Sequence, residues 1–439
     1  MEMGEALIVL AEHGISGSPL SVVQREVFLN QGPQLLKRLG LDLVYEPTTE
    51  GIAIKLKASA LVGTARFVHK RSFVDVVVEP KVGAASVFQI LEFIHQTPSF
   101  SSGHSSAFRA SGTVTDVIIQ LIVEEILAFL EKNYFRDYAL CRDFRSSAIK
   151  GRLLETEYIR ESCPRLRQYK LPCEFFEFSQ NTLENQIVLS ALLVAARLVS
   201  VASSAGRANL RRRIGLGLSM LADVEPVYRD HRDIDRMVYT RRNVAFQPVH
   251  QLCRFLLSNS SVSLNPGQRV QFSCFAFNMN SVFESYVRSL MRSAFGSMVR
   301  TAPNSREFKI AGLEKTIRLD GLVNDEGRKC VIECKNKLVT SEEKPDFDEG
   351  ELRNADVYQV VAYAMHNEIK AITGALFYPF VGSQSFPAKL VGTSGSFMGA
   401  AGLPLPLNVL LINMQVKPSE IVDWLKGRLE VFLPQQTNQ

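Results

Sequence analysis

The chain of 439 residues is short of the features that mark several protein classes. Met1 to Glu12 has no basic start of the kind that opens a secretory leader. The longest apolar stretches, Val114 to Leu130 and Ile187 to Ala202, are broken by Glu124, Glu125 and Arg197, so core helices are expected there and not membrane spans. A cytoplasmic protein with no membrane partner is the resulting expectation. Cysteine is sparse and odd in number: the seven (Cys141, Cys163, Cys173, Cys253, Cys274, Cys330 and Cys334) include no CxxC pair and no adjoining histidine. They read as reduced, buried residues and argue against a disulfide framework or a zinc site. The seven histidines are equally dispersed, which leaves no His-based metal centre or triad. His231-Arg232-Asp233 is kinase-like by itself, but no glycine-rich loop precedes it and no Asp-Phe-Gly follows. There is no GxxxxGK[ST], so this chain is not expected to supply a nucleotide-driven motor.

What is present describes a globular protein, with 46% hydrophobic and 22% charged residues and length for two or three domains. The fold class expected is α/β, α+β overall. Residues 1–155 read as a β-rich amino-terminal domain with a long helix from Val114, residues 156–270 as a helical connecting region, and residues 271–439 as a domain with a central mixed sheet flanked by helices. Pro98 to Gly112 is Ser/Gly-rich and expected as an exposed loop. The net charge of +5 is mild, and basic density is local. The clusters holding Arg211, Arg212 and Arg213, and Arg241 and Arg242, are candidates for DNA phosphate contact, against the alternative of a solvated helical face.

The most informative stretch is IRLDGLVNDEGRKCVIECKNK, residues 317–337. Two β-prone runs, Ile317 to Val323 and Cys330 to Lys335, flank a turn-forming Asn-Asp-Glu-Gly cluster. With Glu326 and Gly327 at the centre of the turn, Val323 faces Cys330 and Asp320 faces Glu333. Alternation then puts Ile317, Leu319, Val323, Cys330, Ile332 and Cys334 on a core face, and Arg318, Asp320, Glu333 and Lys335 on a charged one. Two carboxylates ~5 Å apart repel unless a cation lies between them. Magnesium, bound by carboxylate oxygens at roughly 2.1 Å with water completing its shell, suits that gap. Lys335, about 6.5 Å further along the same face, brings an ammonium to the reacting water or phosphate. The plain alternative is a solvated hairpin face of mixed charge.

Two helices flank the hairpin. Asn278 to Met298 carries Met279, Val282, Phe283, Tyr286, Val287, Leu290 and Met291 at amphipathic spacing, with Glu284 at the border of the stripe, where it can point toward the acids or lie on plain surface. Glu351 to His366 places Gln359 and Tyr363 one turn apart on one face, where they can bond a phosphate or the lysine.

Asp320 followed by Glu333-Cys334-Lys335 resembles the PD-(D/E)xK nucleases, with Leu319 in place of the proline. The order FNMNSVFESYV, LDGLV, IECKNK, RNADVYQVVAYA and ALFYP resembles the McrC family, the nuclease subunits of McrBC modified-DNA restriction systems. LVGTARF with VDVVVEPKVG, Lys150-Gly151-Arg152 and NTLENQIV resemble earlier elements of that family, and the resemblance covers most of residues 60–380. IECKNK departs from the Asp-x-Lys-Tyr form common there, with Glu at the acid and Asn336 after the lysine. The resemblance implies a carboxy-terminal restriction-endonuclease-like domain and a Mg²⁺-dependent DNA endonuclease of antiviral defence. Its catalytic residues would be Asp320, Glu333 and Lys335, the first two as metal ligands, supported by Glu284, Gln359 and Tyr363. It further implies a McrB-like hexameric AAA+ GTPase partner, which binds the GTP, reads the modified cytosine, receives the amino-terminal domain and is stimulated by it to hydrolyse GTP. A free-standing nuclease and a catalytically silent adaptor of an AAA+ motor are the alternatives.

Overall fold

The structure, a computed structural model, describes residues 5–31, 36–37, 39–49, 51–69, 72–95, 113–133, 135–146, 148–200, 205–264, 270–300, 305–310, 313–339, 354–366, 369–382, 386–393, 397–398 and 404–434. The expected loop at 98–112 lies outside them. The chain divides into two compact units, Met1–Ser106 with Ala276–Gln439, and Ala107–Phe275.

The first unit opens with β1 (Glu5–Ala11), α1 (Val22–Gln31), β2 (Leu41–Thr48), β3 (Gly51–Ala58), β4 (Leu61–His69), β5 (Ser72–Glu79) and α2 (Ala84–His95). The valine-rich β5 buries Val74, Val76, Val77 and Val78, as suits a strand flanked on both sides. It pairs in parallel with β1, Ala11 opposite Glu79, and antiparallel with β4, Gly63 opposite Val78. Just past β1, Glu12 N donates to Glu79 O (2.8 Å) and the Glu12 side chain is buried.

The second unit holds α3 (Val114–Lys132), β6 (Asp137–Arg145), β7 (Arg152–Leu153), β8 (Leu171–Ser179), α4 (Leu183–Ser200), α5 (Ala205–Met220), α6 (Gln247–Asn259) and β9 (Ser260–Leu264). Thr113 caps α3 in a reciprocal box with Asp116. Helices α3 to α6 pack on one another, and β8 lies between β6 and β7. The next strand, β10 (Val270–Asn278), pairs antiparallel with β9 and leads back into the first unit.

There follow α7 (Met279–Phe295), β11 (Val299–Arg300), β12 (Ser305–Ile310), β13 (Leu313–Arg318), β14 (Gly321–Asp325), β15 (Arg328–Cys334), α8 (Asn354–Ala364), β16 (Thr373–Phe380), β17 (Ala388–Thr393), β18 (Leu407–Asn413) and α9 (Pro418–Lys426). The mixed sheet has six strands in the order β11-β14-β15-β16-β18-β17. β15, β16 and β18 run parallel, while β14 and β17 are antiparallel to their neighbours. Thr373 to Pro379 and all of β18 are buried, because helices cover both faces. On one face Val357, Val360 and Ala364 of α8 pack with Leu322, Val331, Leu376, Tyr378 and Val409. On the other, Phe377 stacks on Phe432 at 6.2 Å between centroids, and Phe432 meets Phe295 of α7 at 5.4 Å. At Gly374 a Cβ would lie 2.5 Å from Val360 Cγ1, so α8 approaches β16 closely only because that side chain is missing.

Candidate functional site

The hairpin has the register its turn sequence predicts. Glu326 (φ 48°) and Gly327 (φ 92°) both adopt positive φ, the requirement of a two-residue hairpin turn, and Val323 lies opposite Cys330. The last pair is Gly321 with Ile332, so Asp320 stands one residue beyond the ladder. From there its Oδ2 accepts a hydrogen bond from Cys334 N at 2.8 Å.

The expected division into one core face and one charged face needs correction. β13 pairs with β12 in a hairpin of its own, and the chain bends at Asp320 before β14 begins. The bend breaks the alternation, and Leu319 joins Leu322 and Val331 in the cluster under α8 instead of sharing a side with Val323. Both faces are thus packed, and the acids emerge at the carboxy end of β15 beside an apolar layer. All seven cysteines are reduced thiols; Cys173, Cys253, Cys274, Cys330 and Cys334 are buried as expected, whereas Cys141 and Cys163 are only partly buried.

Glu333 is 3% exposed. Its Oε1 accepts from Lys335 Nζ at 2.7 Å, while its Oε2 is buried without a hydrogen-bond partner. Burial, reinforced by the charges of Asp320 and Glu284 and opposed by Lys335, pushes its pKa up to about 7. For Lys335, burial acts to lower the pKa, but the hydrogen bond and charge of Glu333, with Asp356 and Asp320 behind, outweigh it and hold it above the ordinary value. Lys335 Nζ also donates to Gln359 Oε1 (2.8 Å), and Gln359 Nε2 donates to Tyr363 OH (2.9 Å). Glu284 accepts from Arg288 of the next turn at 3.2 Å. Asp320, Glu333, Lys335, Gln359, Tyr363 and Glu284 thus meet at one place.

The donor set suits a divalent cation. A buried carboxylate oxygen with no donor, in a group whose charged form is disfavoured by its surroundings, gains most from a cation. Among the described residues, no group of three or more His, Cys, Asp or Glu is arranged to hold a metal. Magnesium commonly takes only one or two carboxylates and completes its shell with water and phosphate.

Sequence reasoning missed two supports. Lys337 forms an ion pair with buried Asp356 of α8, which also accepts from Tyr378 OH at 3.0 Å. An acid in the first turn of a helix was the available signal. Asn336 Nδ2 donates to Glu12 Oε1 at 2.7 Å, and burial raises Glu12 to about 7 against the pull of Lys81. No local pattern marks Glu12.

The candidate arginines lie in the second unit. Arg213 makes a two-point ion pair with Glu124, Arg242 donates to Asp137 (2.6 Å), Arg212 to Asn209 (3.2 Å) and Arg211 to Val199 O (3.2 Å). Arg241 is exposed.

Residues 56–379 match the profile of a family described as McrBC 5-methylcytosine restriction system component. Among solved structures, the chain is similar to one in the refined half-complex from the tetradecameric assembly of Thermococcus gammatolerans McrB AAA+ hexamers with bound McrC. Identity there is 16% and the TM-score 0.57, over 96% of this chain and 100% of that one. A chain of the Thermococcus gammatolerans McrBC complex is 18% identical with a TM-score of 0.42, over 66% of this chain and 88% of the other. No curated protein matches. Among the described residues no helix is long and apolar enough to cross a membrane.

Proposed function

Since the chain belongs to the McrBC 5-methylcytosine restriction system component family, we propose that it is the McrC-like nuclease subunit of such a system, hydrolysing DNA phosphodiester bonds with Mg²⁺. The observation that carries the reading is Glu333, a buried carboxylate with one oxygen on Lys335 and the other without a donor, beside Asp320. Asp320 and Glu333 would hold the cation, which when bound polarises the phosphate and lowers the pKa of the attacking water.

This chain's own residues do the rest. Glu333 and Gln359 fix the Lys335 ammonium from two directions, so that it stabilises charge developing on the phosphate or orients the water without reorganising during the reaction. Tyr363 holds the Gln359 amide in turn. Ser285, Arg288, Ser289 and Arg292 of α7 line an open groove of about 250 Å³, and its two arginines suit a DNA backbone passing beside Glu284. The carboxy-terminal sheet with its helices is the restriction-endonuclease-like domain in this reading. Residues 1–155 dock on a McrB-like hexameric AAA+ GTPase that binds the GTP and reads the modified cytosine.

The test is to assemble Lys335→Ala with the cognate motor and modified DNA, then follow GTP turnover and strand cleavage together. Cleavage is expected to fall about 10²- to 10³-fold with GTP turnover near wild type. Equal loss of both would mean that the hairpin serves the motor, and unchanged cleavage would remove the catalytic assignment.

A further inference from the structure

Glu12, more than three hundred positions from the acids in sequence, touches the segment that carries Lys335. That segment is held residue by residue. Lys335 N donates to Phe377 O (2.9 Å), Lys337 N to Lys335 O (2.8 Å), and the Lys337 side chain pairs with Asp356. Asn336 is held by its side chain: Nδ2 donates to Glu12 Oε1 at 2.7 Å and approaches Asn280 Oδ1 at 3.3 Å. Asn280 lies in the first turn of α7, one turn before Glu284, and Met279 N beside it donates to Ala60 O (3.0 Å) at the start of β4. Glu12 is itself fixed, being 2% exposed, with its backbone N on Glu79 O and its carboxylate on the backbone N–H of Lys81. One amide therefore joins the end of β1, the start of α7 and the residue next to Lys335.

We propose that Glu12 is a positioning residue for the cleavage site, acting through Asn336 to hold the Lys335 segment in register with Glu284 on α7. The inference rests on the nuclease reading and adds to it that the amino-terminal sheet is part of the cutting apparatus. The hydrogen bond fixes the backbone one residue beyond Lys335. Without it the segment loses its tie to β1 and α7 and keeps only those to β16 and α8, and an error near 1 Å at a reacting group costs up to about a hundredfold in rate.

A reversal of polarity tests this. Asn336→Asp removes the amide donor and puts a second carboxyl group against the buried Glu12 across 2.7 Å. Assay at about pH 9, above the value of about 7 to which burial raises Glu12, keeps the two from sharing a proton. Glu12→Gln combined with Asn336→Asp restores the bond with donor and acceptor exchanged. In the assembled complex with modified DNA, Asn336→Asp is expected to lose at least about tenfold in kcat, with KM for DNA and GTP turnover near wild type. The double variant should recover to within about threefold of wild type. Melting temperatures of both variants separate mispositioning from unfolding, and the double variant keeps the inference testable if the single one does not fold. Full cleavage by Asn336→Asp overturns the proposal, as does a loss the double variant does not repair. Asp320→Ala, run in parallel, distinguishes the levels: cleavage by that variant removes the nuclease reading and this inference with it.

Discussion

In the unit of residues 107–275, four arginines sit in opposite-sign pairs. Arg207 meets Asp116, Arg213 meets Glu124, Arg242 meets Asp137 and Arg254 meets Asp235. At the end of β15 the balance differs. Glu333 is buried near Asp320 and Glu284, shares Lys335 with Gln359, and keeps one oxygen without a donor. A carboxylate that meets a guanidinium is neutralised where it stands and contributes to holding the fold. One placed among other carboxylates retains an attraction for a cation from outside, at some expense of stability. Charge density along the sequence does not separate the two cases, because the separation depends on which acids fold back onto which bases.

The sharpest way to break the comparison is at its acidic side. Asp320→Ala is expected to abolish Mg²⁺-dependent cleavage, a loss beyond about 10³-fold, while leaving GTP stimulation and melting temperature little changed. On the paired side, Arg213→Ala leaves Glu124 partly buried without its main partner and should lower unfolding free energy by about 1–2 kcal/mol. Cleavage per folded molecule should not move, so denaturant titration and a cleavage assay on one preparation check both halves.

A third prediction concerns pH. Glu333 has a folded pKa of about 7, above the 4.5 expected of a free glutamate, so between those values the native state holds more protons than the unfolded one. Its contribution to stability is present at low pH and lost as pH rises through about 7. Metal-free Glu333→Gln should therefore gain on wild type from pH 5 to pH 8, by about 1–3 kcal/mol at the upper end. Stabilisation by Mg²⁺ should grow over the same range in wild type and be weak in the variant. Glu12 titrates in the same direction and remains in both proteins, so the difference isolates Glu333. The smallest effect is expected at Arg241, exposed in the second unit: its change to Ala should weaken DNA binding about two- to threefold, with a shallower salt dependence.

The hairpin was legible because a four-residue turn cluster sets its register, and α7 because its apolar residues recur at helical spacing. Its cap, Asn278 accepting from Asn280 N and Ser281 N, emerged only from the structure. Leu319 went to the wrong side because alternation assumes a straight strand and the chain bends at the next residue. The arginine clusters could not be sorted, because the acids of Arg207 and Arg213 lie about ninety positions earlier. LNVLLIN carries no spacing signal of its own, yet as β18 it sits beside β16 within the sheet, where continuous burial erases alternation. Glu12 was invisible for a different reason: its meaning lies in a partner that only the folded chain brings near.

Gly374, opposite Val331 on the strand beside β15, bears on the aim of Lys335. The gap between β16 and α8 at that point is a clearance, set by one absent methyl group, and Val360, which fills it, is the next residue after Gln359. A shim placed there by Gly374→Ala would press on Val360, whose fully buried side chain has nowhere to retreat, and tilt its neighbour's grip on Lys335. The aim of the ammonium is thus adjusted from underneath, by the thickness of the layer on which its holder rests.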